Sequence, residues 1–447
     1  MPDSKPALSN EPSVGPASEP PAQTAHQLCS PRNILVLAAS SLAIAFLQST
    51  TISPNALPPA SHTQPIPHCF RPAHWELSPP GLDPRTAHAS FTLSTFYDSL
   101  FIDALNPSTH GSVRFVLADP SDPPPPGPPS VAVDITARVA ARDEAAFRAR
   151  ARVCHTRPRW TEPGRMEGVV VSVDPAEGDD AAERAVPFAF DITVRLPAGP
   201  PRSPVVIPAF SASLWNYAFL VDDLRDRVSF GSLLLHAMNA PVRVESLSGA
   251  SIRVTSWNGD ITGSFEATSS IDLYAHNGAI AANASLARPA RPAGAPPVVP
   301  RLSMASTDKP IAAHVSLLTA PGAGDGDDPC KHAYRASFAA WRAPLSVSFL
   351  AAPSDDLNLT VSASNAYAPS TIALPDSFTG TLYARSTHPH IPTVHHETES
   401  QLEMHGRTVS RGEYGEMHVV SGAVRRGDRA CGEVDAQAVQ GDVALYI

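Results

Sequence analysis

The sequence lacks most of the features by which enzymes and nucleic-acid-binding proteins are recognised. It contains no phosphate-binding glycine loop, no Gly-x-Ser-x-Gly elbow, no His-Glu-x-x-His pair and no Cys-x-x-Cys pair. It also lacks a basic stripe with interleaved aromatic residues, and its net charge is −10, so we predict no nucleic-acid partner. We therefore assign no catalytic residue, no metal and no cofactor, and we predict a protein that is not an enzyme.

Long hydrophobic runs are scarce, with one exception near the N-terminus. The strongly apolar part extends from Ile34 to Leu47, and no charged residue occurs between Arg32 and Arg71. An uncharged stretch of this kind can supply the ~20 residues that a membrane span needs. We interpret residues 33–52 as an uncleaved transmembrane signal anchor because a long polar leader precedes them. A cleaved signal peptide and a buried core helix remain the alternatives.

The basic residues around this segment predict its orientation. Lys5 and Arg32 lie on its N-terminal side, which places the N-terminus in the cytosol and the large C-terminal part in the lumen or outside the cell. Two N-glycosylation sequons, at Asn283 and Asn358, fall in that C-terminal part. They agree with a single-pass protein on the secretory route.

Cysteine is rare, with five residues in 447. Cys29 precedes the apolar segment and is either a palmitoylation candidate or a free thiol. The other four are Cys69, Cys154, Cys330 and Cys431, and all fall in the predicted lumenal part. An even number in an oxidising compartment allows two disulfides, whose pairing the sequence leaves open.

Proline, in contrast, is abundant, and it divides the chain. The 48 prolines are about twice the ordinary usage and cluster in loops or linkers, since proline cannot donate a backbone hydrogen bond. The predicted regions are a disordered cytosolic tail over 1–32, the anchor over 33–52, a proline-rich stalk over 53–90, an N-terminal β-rich region over 91–204, and a β-repeat region over 205–447 with a Pro/Gly-rich insertion at 287–330.

Most of the chain after the stalk has the pattern of β-strands. Residues 131–139 and 188–197 alternate apolar and polar side chains, as half-buried strands do. One helix is predicted at 141–153, where Ala, Arg and Glu favour it, and a weaker one at 220–228. The predicted fold class is all-β.

Within the β-repeat region, one motif recurs at a constant spacing. The segments "SLLLHAMNAPV", "SIRVTSWNGDI" and "SIDLYAHNGAI" begin at Ser232, Ser251 and Ser270, nineteen residues apart. A looser copy starts at Leu359, and another covers residues 434–447. Because Asn and Gly enter left-handed φ at low cost, we predict sharp turns at these positions. The predicted turn residues are Asn239, Asn258, Gly259, Asn277, Gly278 and Asn365.

Two architectures satisfy this pattern. In a β-solenoid or stacked β-sheet, each repeat is one coil, isoleucines fill an interior column, and asparagine amides bond coil to coil. In an antiparallel β-sandwich, Ile252 and Val254 share a face with Ile261 and Phe265 across a hairpin turn. We favour the solenoid because a hairpin meander does not require constant spacing.

The units "IRVTSWNGDI" and "IDLYAHNGAI" resemble the repeats of an adhesin-like domain family of unknown function. Residues 372–385 are similar to a strand, Leu-Pro and Phe-x-Gly pattern of related fungal membrane-anchored proteins. The resemblance covers 205–447, and 91–200 more weakly, with Ala240 and Gln440 departing from the Asn-Gly pattern. It implies a β-helix or stacked β-sheet fold and brings no catalytic residues.

Four other features carry possible chemistry, and we interpret each as structural. The histidines at 388–397 lie among prolines, which indicates an exposed loop rather than a zinc or copper site. Residues 322–328, "GAGDGDD", lack the glutamate spacing of a calcium loop. Asp260 follows a turn glycine and suits local backbone bonding. Arg-Gly-Asp at 426–428 is read as a turn.

The sequence therefore predicts a non-catalytic, membrane-anchored surface or lumenal module of the adhesion type. Its partner would be polysaccharide or a surface protein. One alternative is a β-helix carbohydrate-active enzyme, which would need carboxylates on adjacent coils. The other is a self-assembling module, in which an uncapped coil ending at Ile447 offers a free edge.

Overall fold

The computed structural model describes residues 69–79, 84–104, 109–119, 129–156, 165–174, 188–201, 203–289, 298–319, 332–351, 357–387, 389–395, 401–412, 415–425 and 431–447. The predicted tail, anchor, Cys29 and Cys330 lie outside these ranges. Ile66–Ile447 form one compact unit. Within the described ranges, none of the helical segments has the length and apolarity that a bilayer crossing requires.

The all-β prediction is confirmed, since the described residues contain 27 strands joined in one hydrogen-bonded sheet. The first nine strands are β1 Cys69–Pro72, β2 Glu76–Leu77, β3 Arg85–Ser94, β4 Ser99–Ala104, β5 Thr109–Leu117, β6 Ser130–Val139, β7 Ala151–Thr156, β8 Met166–Val173 and β9 Phe188–Leu196. The next nine are β10 Val205–Leu214, β11 Tyr217–Asp223, β12 Val228–Ala237, β13 Val242–Ser256, β14 Ile261–Ala275, β15 Ile280–Arg288, β16 Arg301–Ser306, β17 Ile311–Thr319 and β18 His332–Ala340. The last nine are β19 Leu345–Ala351, β20 Leu357–Asn365, β21 Ser370–Ala373, β22 Gly380–Thr387, β23 Thr393–His395, β24 Gln401–Gly412, β25 Gly415–Arg425, β26 Gly432–Ala438 and β27 Val443–Tyr446.

Helical structure is confined to one short segment of the described chain. A 3₁₀ turn, Ala141–Asp143, leads into helix α1, Glu144–Arg150, and strand β7 begins immediately afterwards. The helix is thus shorter than predicted. The second predicted helix, at 220–228, is wrong. Phe219 and Val221 alternate into the core of β11 there, so the strand period prevails over local helix propensity.

From β10 onward, apart from the antiparallel strands β24 and β25, the strands pair in parallel and form two ladders. Ladder one runs through β10, β12, the second half of β13, the second half of β14, β16, β18, β20, β26 and β22. Ladder two runs through β11, the first half of β13, the first half of β14, β15, β17, β19, β21, β27 and β23. We call one ladder-one strand and the ladder-two strand that follows it in the chain a level, so each level gives one strand to each ladder.

The nineteen-residue segments pair with one another in register. Leu233 pairs with Ile252, and Ile252 pairs with Ile271. Ile261 instead belongs to ladder two, where it pairs with Val242. The hairpin alternative is therefore wrong at this motif, because the strands on either side of the Asn-Gly bend do not pair with each other.

In the parallel region, the inward side chains of both ladders form the core. Ile252, Ile271 and Leu302 occupy successive positions of ladder one, each at most 1% exposed. Side chains alternate between the core and the outer face, as the pleat of a strand requires. Each fully buried Leu or Ile contributes about 1.5–3 kcal/mol relative to an exposed one, so this repeated burial favours the stacked arrangement.

The last segment of the chain does not lie at the end of the ladders. Strand β26 pairs with β20 on one side and β22 on the other, and β27 lies between β21 and β23. The prediction that the copy ending at Ile447 offers a free edge is therefore wrong. Both of its edges are already hydrogen-bonded, and the β24–β25 hairpin pairs beyond β22 instead.

Two predicted region boundaries also differ from the structure. The segment 53–90, read as a stalk, contains β1, β2 and the start of β3, whose Ala87 and Ala89 are buried. The segment 287–330, read as an insertion, contains the whole of β16 and β17. In both cases prolines flank short strands, and the alternating small apolar residues between them supply the core.

Candidate binding site at the bends

Each level of the parallel region bends at the end of its ladder-one strand, and these bends form a continuous surface that we call the turn row. Its outer positions are Asn216, Asn239, Asn258, Asn277, Asp308, Arg342, Tyr367 and Gln440. The preceding positions are Trp215, Met238, Trp257, His276, Thr307, Trp341, Ala366 and Val439. Backbone hydrogen bonds join successive bends, such as Asn277 N–H to Trp257 O at 2.7 Å and Tyr367 N–H to Trp341 O at 2.9 Å.

The asparagines of the turn row form a side-chain ladder. Asn277 Nδ2 donates to Asn258 Oδ1 at 2.7 Å, Asn258 Nδ2 to Asn239 Oδ1 at 2.6 Å, and Asn239 Nδ2 to Asn216 Oδ1 at 2.7 Å. All these amides point in one direction, so each bond polarises the next. Asn239, Asn258 and Asn277 are nevertheless exposed, which leaves the rest of each amide accessible to solvent.

The glycines after the asparagines are required for a reason that the sequence did not reveal. Neither Gly259 nor Gly278 has a positive φ, and the asparagines before them do not either. The prediction of left-handed turns is therefore wrong. A Cβ on Gly278 would lie 2.0 Å from the carbonyl oxygen of Gly259, and a Cβ on Gly259 would lie 2.1 Å from that of Ala240. The glycines permit the close approach of one level to the next.

Asn365 was predicted at the asparagine position of the turn row, but it lies two residues earlier. It pairs with Ala340 on β18 and is 3% exposed. Its Nδ2 donates to Ala343 O at 3.0 Å, and its Oδ1 accepts from Ala368 N–H at 3.2 Å. Ser306 occupies the same position and donates to Gly278 O at 3.1 Å. This buried position thus carries side chains that bind the backbone of the bends.

Asp260 lies directly after the turn glycine Gly259, and the residues at the equivalent position of other levels explain its role. In most levels this position is proline, as at Pro241, Pro310 and Pro344, which has no N–H to satisfy. Ala279 does have one, and it donates to Asp260 Oδ1 at 2.8 Å. Asp260 therefore bonds backbone, and its neighbours in this row of the described chain carry no second carboxylate beside it.

The second half of the turn row carries aromatic and charged side chains. The rings of Trp341 and Tyr367 meet edge to face at 5.4 Å, and Tyr367 is 49% exposed. Asp308 and Arg342 form an ion pair at 3.2 Å between Oδ1 and Nη1. Sequence reasoning missed these residues because it followed Asn-Gly, which is absent from these levels.

A second aromatic pair lies beside the amide ladder. The rings of Trp257 and His276 contact each other in a tilted arrangement, with centroids 4.4 Å apart. His276 Nδ1 lies 3.0 Å from Thr307 Oγ1 on the next level, which fixes the imidazole ring. The available signal was an aromatic residue directly before Asn216, Asn258 and Asn277.

The remaining predicted site residues are dispersed. His390 Nδ1 lies 3.0 Å from Asp442 Oδ1, and His395 stacks on Tyr446 at 4.6 Å. Within the described ranges, no three His, Cys, Asp or Glu side chains gather as metal ligands would. His388, His396, Glu397 and the segments 322–328 and 426–428 lie outside those ranges.

The two sequons lie on strands in different ladders. Asn283 is exposed on β15, and Asn358 is half-buried on β20. Of the cysteines, Cys69 and Cys154 form a disulfide across 85 residues, and Cys431 is also disulfide-bonded. The sequence had left this pairing open.

Burial perturbs one ionisable group on each of the two strands that flank β10. Desolvation raises the pKa of the Asp103 carboxyl to about 6, and it lowers the pKa of the His236 imidazole. Both pair in register with Ser213, Asp103 from β4 and His236 from β12. His236 Nδ1 lies 2.6 Å from Thr255 Oγ1, so this histidine supports the ladder.

Comparisons with known proteins are sparse. No protein-family model matches the chain, and no curated protein matches it. Among solved structures, the chain is similar to a "putative cell adhesion protein" from Clostridium sporogenes ATCC 15579. The two are 7% identical, the match covers 81% of this chain and 99% of that one, and the TM-score is 0.15.

Proposed function

We propose that the protein is a non-catalytic, membrane-anchored module of the adhesion type. In this proposal the two parallel ladders are the coils of a β-solenoid, which holds a rigid, repeating surface away from the membrane. The observation that carries it is the in-register pairing of successive levels, which aligns equivalent side chains into rows. Rows of identical groups suit a repeating ligand, such as polysaccharide, or an extended surface protein.

The membrane part of the proposal rests on the sequence. Residues 33–52 would anchor the chain, with the N-terminus in the cytosol and Ile66–Ile447 in the lumen or outside the cell. Exposed Asn283 is accessible for a glycan, and the Cys69–Cys154 disulfide suits an oxidising compartment.

Topology is tested by glycosidase-shift analysis of the full-length protein expressed in a eukaryotic secretory host. We expect glycosidase treatment to increase its mobility, and Asn283→Gln to remove part of that shift. Deletion of 33–52 should abolish glycosylation. A membrane-bound protein without glycans, or a fully cytosolic protein, would contradict the proposed topology.

The adhesion part is tested by binding of the purified protein to a panel of immobilised polysaccharides and to intact cells. Saturable binding to at least one surface is expected. Absence of binding to every polysaccharide and cell surface would contradict it.

A further inference from the structure

We propose that the turn row is the binding site for a neutral polysaccharide, which lies along the row and crosses successive levels. The inference rests on the proposed function, and it names the surface and the chemical class of the ligand. The alternative occupant, an acidic polymer, is an outcome of the test below.

Partly exposed aromatic rings supply the faces on which sugars stack. Trp257 and His276 form one such pair, and Trp341 and Tyr367 form another. The face of an aromatic ring is electronegative and attracts the polarised C–H groups of a sugar ring. Because His276 is held by Thr307 and the rings contact each other, they lose little conformational freedom when a ligand binds.

The amides supply hydrogen-bonding groups at a fixed repeat. Each amide of Asn258 and Asn277 uses one N–H in the ladder, and its second N–H has no partner within the described part of the chain. Successive levels are ~4.8 Å apart, a distance comparable with the length of one sugar ring. A polymer of sugars can therefore meet an equivalent amide at the three successive levels of Asn239, Asn258 and Asn277.

The charges on the row favour a neutral ligand. Arg342 is paired with Asp308, so the outer positions of the row present no isolated cation for a polyanion, and the one exposed lysine of these bends in the described chain is Lys309, directly after Asp308. The side chain of Asp308 is 29% exposed, and its carboxylate can accept hydrogen bonds from sugar hydroxyls beside the Asn277 amide. A carboxylate-rich or sulfated polymer would instead be repelled by the net charge of −10.

The test measures binding of the purified full-length protein to soluble β-glucan, xylan, mannan and galactan, with hyaluronate and heparin as acidic polymers. The variants Tyr367→Ala and Trp257→Ala are compared with Tyr383→Ala and Tyr446→Ala. The control tyrosines are each 41% exposed and lie outside the turn row. Thermal unfolding verifies that each variant is folded, and Tyr367→Ala, at an exposed position, keeps the test valid if Trp257→Ala destabilises the protein.

We expect the unsubstituted protein to bind at least one neutral polymer, the row variants to lose about tenfold or more in affinity, and the controls to stay within about twofold. Equal binding by row variants and controls would overturn the site while leaving the adhesion function intact. Binding to acidic polymers alone would overturn the ligand class. Binding to none of these polymers, with cell binding retained, would overturn the inference alone.

Discussion

The N-terminal region, β1–β9, and the parallel region, β10–β27, are stabilised in different ways. In the N-terminal region antiparallel pairs are common: β3 with β6, β6 with β9, and β7 with β8. Individual long-range contacts fix these strands. In the parallel region the same few contacts recur at each level.

The contacts of the N-terminal region are each made once. The Cys69–Cys154 disulfide ties β1 to β7, and buried His155 Nε2 lies 2.9 Å from Glu167 Oε1. Phe147 of α1 is fully buried against Trp75, with ring centroids 5.0 Å apart. Loss of one such contact should therefore have a local effect. Loss of a contact in the parallel region should instead affect the equivalent positions on the neighbouring levels.

The largest expected effect is that of Gly278→Ala, which probes the close approach of levels. The new Cβ would lie 2.0 Å from a backbone carbonyl oxygen, so the levels must separate, and we expect a loss of about 3–5 kcal/mol in the free energy of unfolding. Ala343→Gly, at the equivalent position two levels further on, should cost only about 0.5–1 kcal/mol. Urea denaturation measures both.

A second substitution, Gly278→Asn, separates two reasons for the glycine, namely left-handed φ and close approach of the levels. Asparagine tolerates left-handed φ better than alanine does, so a left-handed glycine would accept it more readily. Close approach penalises both side chains. If Gly278→Asn retained stability while Gly278→Ala lost it, our account of the glycines would be wrong.

The second effect concerns the N-terminal region alone. Cys69→Ala combined with Cys154→Ala opens a disulfide that spans 85 residues, and we expect a loss of about 2–5 kcal/mol. Hydrogen exchange should lose protection in β1 and β7 but not in β16–β19. Equal loss of protection in both regions would remove the distinction between them.

The third effect lies at the junction, where β4 pairs with β8 of one region and β10 of the other. The pKa of Asp103 is about 6 in the folded protein and about 3.9 in an unfolded chain, so the folded state holds more protons between these values. Stability should therefore fall as the pH rises through this window.

Asp103→Asn should remove that pH dependence. We expect the variant to exceed the unsubstituted protein by about 1–2 kcal/mol at pH 7.5 and to match it near pH 4. Denaturation at both pH values checks this. A variant that is less stable at pH 7.5 would show that the carboxylate makes a favourable contact.

The smallest effect tests the amide ladder. Asn258→Ala removes one donated and one accepted hydrogen bond at an exposed site, for which we expect a loss of about 0.5–1.5 kcal/mol. Asn283→Ala, at an exposed asparagine outside the row, should change stability by less than about 0.5 kcal/mol. Equal effects would mean that the ladder adds nothing.

The levels that carry Asn-Gly could be predicted from the sequence, because the close approach of each bend to the preceding one requires glycine at the same position. The sequence did not predict the levels at Leu302 and Ala336, where Asp308 and Arg342 occupy the asparagine position. Nor could it place Asn365, since two neighbouring positions of a bend both accept an amide, one exposed and one buried.

The order of the levels along the two ladders could also not be predicted from the sequence. The similarity of residues 434–447 to the other levels shows what they pair with, but not that they lie between two earlier levels. The Trp341–Tyr367 contact of the candidate site likewise depends on which levels are neighbours, because the two rings meet only through the pairing of β18 with β20. The disulfide pairing was likewise one of three possibilities until the strands were placed.

Electron–electron distance measurements along one outer row test the stacking directly. Successive pairings in ladder two place Ser346 four levels from Arg243, Ala444 six levels and Thr393 seven levels. With spin labels at Arg243 and each of the others, the account predicts backbone separations of roughly 19, 29 and 34 Å. A shorter distance to Thr393 than to Ala444, or distances that do not increase with level, would contradict it.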